Sequence, residues 1–124
     1  MITIIKKPNA PLLVDNINED LETLQQIVGG YIEIPYIPGF TEKGIDIIIN
    51  DEGKLIGLDS NIAMIHKEKV VDMLVGNVIF ASHDNDGNTI GLNPDQIIFI
   101  TNHLQGPCRV VLKDGNELPT IILK

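Results

Sequence analysis

Val70-Val71-Asp72-Met73-Leu74-Val75-Gly76-Asn77-Val78-Ile79-Phe80-Ala81-Ser82 is the longest apolar stretch of this 124-residue chain. Its β-branched content predicts a strand, interrupted at Gly76, where glycine marks a bulge or a close approach of backbone. Toward the C-terminus, Asp84 to Asn88 has turn composition, and Thr89–Leu92 returns as a short strand. Asn93-Pro94 then opens a helix that runs through His103, with asparagine as cap and proline at the first helical position. Gly106-Pro107 ends that helix, and Arg109–Lys113 with Leu118–Lys124 predict a terminal hairpin around Asp114-Gly115-Asn116-Glu117.

Toward the N-terminus, residues 59–69 suggest a polar connection with a helical turn around Ala63-Met64. Ile45–Asn50 and Lys54–Leu58 predict two strands of a hairpin joined by Asp51-Glu52-Gly53, glycine taking the left-handed position. Tyr31 to Tyr36 is expected to be a strand with Ile32 and Ile34 on one face and Tyr31 and Glu33 on the other. Ahead of it, Ile17, Leu21, Leu24 and Val28 recur at helical spacing. Asn16 with Glu19 resembles a capping box, and Asp15, Glu19, Asp20 and Glu22 suit a helix N-terminus. Gly29-Gly30 supplies the left-handed stop. Ile2–Ile5 and Leu12–Val14, separated by Pro8 and Pro11, complete the set as strands near an edge. The expectation is an α+β fold: a mainly antiparallel sheet, two helices and a C-terminal hairpin extension, in one domain spanning 1–124.

Composition narrows the function classes. Nine Lys+Arg against 17 Asp+Glu leave a net charge of −8, which opposes nucleic-acid binding because neutralising phosphates takes a basic face. Arg109 is the single arginine, so an arginine cluster requires several copies of the chain. Lone Cys108 fits a reducing compartment, and no apolar run reaches the ~20 residues of a membrane span. A cytoplasmic protein is expected, with neither membrane nor nucleic acid as partner.

Chemical motifs are sparse. Asp84-Asn85-Asp86-Gly87-Asn88, with Asp95 beyond, places oxygens as in a calcium loop, but Thr89 and Gly91 break that pattern. A polar turn explains it better. His66, His83, His103 and Cys108 lack the close spacing of zinc ligands. Neither Ser60 nor Ser82 sits in a nucleophile motif, and the carboxylate pairs Glu33 with Asp46 and Asp51 with Glu52 carry little information in an acidic chain. Hence no catalytic residue, no metal and no cofactor is assigned. Tyr31, Tyr36 and Phe40, three of five aromatics, cluster among Gly29, Gly30 and Gly39. Such a segment can bring a planar ligand onto a ring and close to backbone, or it can cover the sheet or an interface.

Leu24-Gln25-x-Ile27-Val28-Gly29-Gly30-Tyr31-Ile32-Glu33, then Asn50-Asp51-Glu52-Gly53-Lys54-Leu55, Gly57-Leu58, Asn61, Asp72-x-Leu74-Val75-Gly76 and Gly91-Leu92 form a set with recognisable spacing. It resembles the domain-of-unknown-function 3846 family of small phage, plasmid and mobile-element proteins, over residues 3–104. The hairpin from Cys108 onward looks like an addition to that core. Where the family has a Leu-Pro-x-Asn-Arg segment, this chain has Leu58-Asp59-Ser60-Asn61-Ile62, so any role of the family arginine is missing. The resemblance implies a genomic setting in which accessory and counter-defence genes are common, including those that sequester nucleotide signals.

The resulting expectation is a non-enzymatic, homo-oligomeric binding protein that sequesters a small, nucleotide-type immune signal. Its ligand-binding residues are expected among Gly29, Gly30, Tyr31, Glu33, Tyr36, Lys54, Asn61 and Arg109. An anionic ligand meets an unfavourable overall field, so Lys54, Lys67, Lys69 and Arg109 would have to supply local compensation. The alternative is a protein-interaction module, or an acidic decoy, that inhibits a host defence protein.

Overall fold

The computed structural model describes residues 1–123. The strands are β1 (Ile2–Lys6), β2 (Leu12–Asn16), β3 (Ile32–Glu33), β4 (Ile45–Asn50), β5 (Ser60–His66), β6 (Lys69–Val75), β7 (Val78–His83), β8 (Thr89–Ile90), β9 (Arg109–Val111) and β10 (Glu117–Ile122). The helices are α1 (Leu21–Val28) and α2 (Pro94–Leu104), with a short 3-10 turn at Thr41–Lys43. The fold is α+β and mainly antiparallel, as expected. One sheet has the order β2-β1-β7-β4-β3, with β8 paired to β7; the other has the order β6-β5-β10-β9.

Alternation along the central strands explains why they are apolar on both sides. Ile5, Ile48, Ile79 and Ala81 face α1 and pack on Leu24 and Val28. Their neighbours Ile4, Ile47, Val78 and Phe80 face the other way, onto Ile62, Met64, Leu74 and Ile121 of the second sheet and Ile100 and Leu104 of α2. Successive residues of a strand point to opposite faces, so a strand covered on both has no polar alternation. Each fully buried isoleucine or phenylalanine here contributes roughly 1.5–3 kcal/mol.

The 70–82 stretch forms two strands, not one. β6 pairs with β5 in one sheet, whereas β7 pairs with β1 and β4 in the other. Gly76, at φ +72°, turns the chain between the sheets, and a Cβ there would approach Leu58 Cδ1 to 2.6 Å. The predicted strand Lys54–Leu58 is a turn, and β4 takes β3 and β7 as partners instead. Leu55 and Ile56 are 87% and 57% exposed, so the apolar residues that suggested a strand find no layer to cover them. The strand lies instead at Ser60–His66, inside the predicted polar connection, and no helical turn forms at Ala63-Met64. The β5–β6 turn is made by Lys67 and Glu68 at φ 50° and 68°. This two-residue turn geometry normally announces itself with Asn-Gly, and here it carries no such signature.

At α1 the glycine stop is as predicted: Gly29 has φ +82° and its N–H bonds to Gln25 O. The start is not. Asn16 belongs to β2, opposite Ile2, and Asp15 to the same strand, so the predicted capping box is absent and Ile17 precedes the helix. Asp20 is the cap, its Oδ1 accepting from Thr23 N at 2.7 Å. Those hydrogen bonds from Thr23 hold the Asp20 carboxyl below its ordinary pKa. Asp20→Ala is therefore expected to lower the melting temperature at neutral pH. Because the folded-state pKa is the lower one, the difference should vanish as pH falls through it. Thermal melts of both proteins from pH 7 to pH 2 check this.

Pro35 confines β3 to Ile32–Glu33 rather than the predicted 31–36. α2 starts as expected, with Asn93 and Gln96 forming a full capping box. The terminal hairpin also forms, but β10 runs parallel to β5 and buries Leu118 and Ile121, so it is an interior strand of the second sheet. The predicted end of that strand, Lys124, lies outside the described residues. No described helix is long and apolar enough to cross a membrane.

Candidate ligand clefts

The expected site residues separate into distinct places. Gly29 and Gly30 end α1; Gly30 packs so closely on Asn50 that a Cβ would lie 2.9 Å from its Nδ2. Their role in the fold is backbone geometry. Tyr31 is 71% exposed, while Glu33, Tyr36 and Lys54 meet around one cleft, and Asn61 and Arg109 border another.

The first cleft, about 420 Å³, opens between the 33–38 segment, the turn after β4 and strand β6. Its floor includes Ile37, Ile49, Met64 and Leu74, and Tyr36 stands at its mouth. Pro35 and Pro38 stiffen the segment on either side of Tyr36. The Tyr36 hydroxyl donates to Glu42, whose other oxygen accepts from Gly39 N at 2.7 Å. This pairing holds the Glu42 carboxyl below its usual range and raises the Tyr36 phenol. The hydroxyl is therefore tied to Glu42 while the residue stays 64% exposed at the cleft.

The rim is polar and acidic. Glu33, Asp51 and Asp72 oppose the single cation Lys54, which is paired with Asp72. Partial burial acts to raise the Asp72 carboxyl, but hydrogen bonds from Lys54 and Met73 N–H and the charge of Lys54 outweigh it, and its pKa is lowered. The cleft thus combines an apolar floor, an exposed ring and a net negative rim.

The second cavity, about 490 Å³, lies between the β1–β2 turn, the end of α2 and the terminal hairpin. Lys6, only 6% exposed, and Arg109 both line it. Lys6 Nζ donates to Lys7 O at 2.7 Å and to Asn61 Oδ1 at 2.9 Å. Asn61 is fully buried, and its Nδ2 donates to Lys6 O at 2.8 Å and Gly76 O at 2.7 Å. Every polar atom of the Asn61 amide is thereby engaged within the fold. Sequence reasoning missed Lys6, because a lysine at a strand end carries no local sign of burial.

The remaining aromatic of the 31–40 segment is interior. Phe40, 1% exposed, packs edge-on against Phe99 and His103, both at 5.1 Å between ring centres. The candidate metal ligands are dispersed as well. His83 pairs with Asp46 at 2.9 Å, His103 Nδ1 meets Phe99 O, and Cys108 is exposed. Among the described residues no three His, Cys, Asp or Glu side chains converge on a common point. The Asp84 carboxylate accepts from Asp86 N, Asn88 N and Asn88 Nδ2, which closes the predicted polar turn.

No curated protein and no solved structure matches this chain. A family match does extend over residues 1–105, taking in α1, Lys6, Asn61 and every lining residue of the Tyr36 cleft except Leu123, but stopping short of Arg109 and the terminal hairpin. On that match the chain belongs to the family described as Domain of unknown function (DUF3846).

Proposed function

We propose that this chain is a non-enzymatic binding protein that takes up a small ligand through a planar group seated in the Tyr36 cleft. The observation that supports this reading is the anchored, solvent-facing Tyr36 ring above an apolar floor. Clefts of this size and mixed lining are the usual form of small-molecule sites. The setting implied by the family resemblance makes the ligand a nucleotide-type immune signal and its sequestration a counter-defence role. The rim chooses which part of such a molecule enters. Three carboxylates against one paired lysine favour the nucleobase and repel phosphate.

Calorimetric titration with a panel of nucleosides and their phosphates tests this. Tyr36→Ala is expected to weaken binding about tenfold, the loss of one stacking contact, while leaving stability nearly unchanged because the ring is exposed. A panel without any binder, or an unchanged affinity in Tyr36→Ala, would reject the reading.

A protein-interaction role is favoured by a different observation. Leu55, Ile56, Val70 and Val71 are all more than half exposed, and such apolar surface is characteristic of contact sites. Capture of a host defence protein that persists with the nucleotide panel in excess would favour this alternative. The expected homo-oligomer belongs to the same proposal, and its subunit count follows from native mass spectrometry.

A further inference from the structure

We infer that the cavity between the β1–β2 turn and the terminal hairpin is an oxyanion site, holding the phosphate group of a small phosphorylated molecule on Lys6 and Arg109. It shares no lining residue with the Tyr36 cleft, so it stands independently of that proposal.

The first argument is charge. In a chain with 17 acidic residues, these two cations face one cavity, and among the described residues neither forms a salt bridge. Burial, and then the positive charge of Arg109, pull the Lys6 ammonium below its ordinary pKa. Two like charges lining one cavity, with one of them desolvated, is an unfavourable arrangement that a bound anion would relieve.

The second argument is donor geometry. An ammonium has three donors, and the two hydrogen bonds to Lys7 O and Asn61 Oδ1 leave one. The Asn61 amide is itself locked by Lys6 O and Gly76 O, so Lys6 is held in place rather than free to swing into solvent. Arg109 Nη1 donates to Leu104 O at 2.9 Å, covering a carbonyl at the negative end of α2 and leaving its other donors available. Two cations, each tethered by hydrogen bonds to the fold and lining the same cavity, suit a tetrahedral oxyanion, for which arginine adds a planar fork and lysine a point charge. Asn9, Gln105 and Asn116 add neutral polar groups on the walls.

The third argument is size and origin. A cavity of about 490 Å³ has room for more than an inorganic ion. Lys6 and Asn61 fall within the family-matched residues 1–105, whereas Arg109 and Asn116 come from the hairpin beyond them. The complete site is therefore made only where the family core and this hairpin occur together. Glu117, exposed on the wall, is the one carboxylate against it.

The test is titration of inorganic phosphate and ribose 5-phosphate into the full chain, followed by calorimetry and thermal shift, against chloride at matched ionic strength. Both should bind and raise the melting temperature. Tighter binding of the sugar phosphate assigns the rest of the cavity to the ester; equal binding assigns the site to the anion alone. Arg109→Gln, at an exposed position, should weaken both about tenfold or more through loss of a charge-assisted contact. Glu117→Gln should tighten both, which a purely structural role for Arg109 would not produce. Tyr36→Ala should leave phosphate binding as it is. No response beyond the chloride control, or an Arg109→Gln protein that binds phosphate as well as the parent, would overturn the inference.

Discussion

Asn61→Ala is expected to destabilise the protein by about 3–5 kcal/mol. The side chain is fully buried and makes three hydrogen bonds within 3 Å: from Lys6 Nζ, to Lys6 O and to Gly76 O. These tie β1 of one sheet to β5 of the other and to the glycine where the chain changes sheets. Truncation leaves a buried ammonium one acceptor short and takes a donor from the Gly76 carbonyl and from the Lys6 carbonyl, the latter staying in the ladder opposite Val78; each buried group left unpaired costs about 1–3 kcal/mol, more where it is charged. Asn61→Asp cannot substitute, because a carboxylate lacks the two N–H donors that the carbonyls require. Urea unfolding followed by circular dichroism measures the loss, with Asn18→Ala as an exposed control expected within about 0.5 kcal/mol of the parent. A loss below about 1 kcal/mol would show that Asn61 is not the tie described.

Phe40→Ala is expected to cost about 3–5 kcal/mol as well, for a different reason. Phe40 is 1% exposed and touches Phe99 and His103 edge-on, joining the segment after β3 to α2. Removing the ring leaves a cavity whose walls are held by a helix and a sheet, which limits collapse. The comparison with Tyr36, four positions earlier and 64% exposed, is informative. Phe40→Ala should depress stability with ligand affinity largely retained where the protein is folded, and Tyr36→Ala should do the reverse. A Phe40→Ala protein of parental stability that had lost nucleoside binding would move Phe40 from the core to the ligand cleft.

The contrast between these two aromatics shows where local sequence stops being informative. Tyr36 and Phe40 sit in the same glycine- and proline-rich segment, and nothing local separates them. Tertiary structure does: the 3-10 turn at Thr41–Lys43 leads Phe40 inward, while the Tyr36 hydroxyl is drawn to Glu42 at the surface. The Lys54–Leu58 segment and β5 show the same limit in reverse. Leu55 and Ile56 are apolar yet uncovered, whereas Asn61 is polar yet completely buried.

What the sequence determined by itself was whatever depends on a few adjacent residues. The Gly29 stop, the Asn93-Pro94 start of α2, the terminal turn through Asp114-Gly115-Asn116 (Glu117 opening β10) and the α+β class all follow from local backbone preference and short-range periodicity. Only the tertiary structure decided that 70–82 divides between two sheets at Gly76, that β10 lies parallel to β5, and that Lys6 meets Arg109 at a cavity. These depend on which distant segments share a layer, and strand pairing is selected by the burial of whole faces rather than by any single stretch. For the same reason the charge of −8 could not reveal a local pair of cations: net charge sums over the chain, whereas an anion responds to the few groups within its reach.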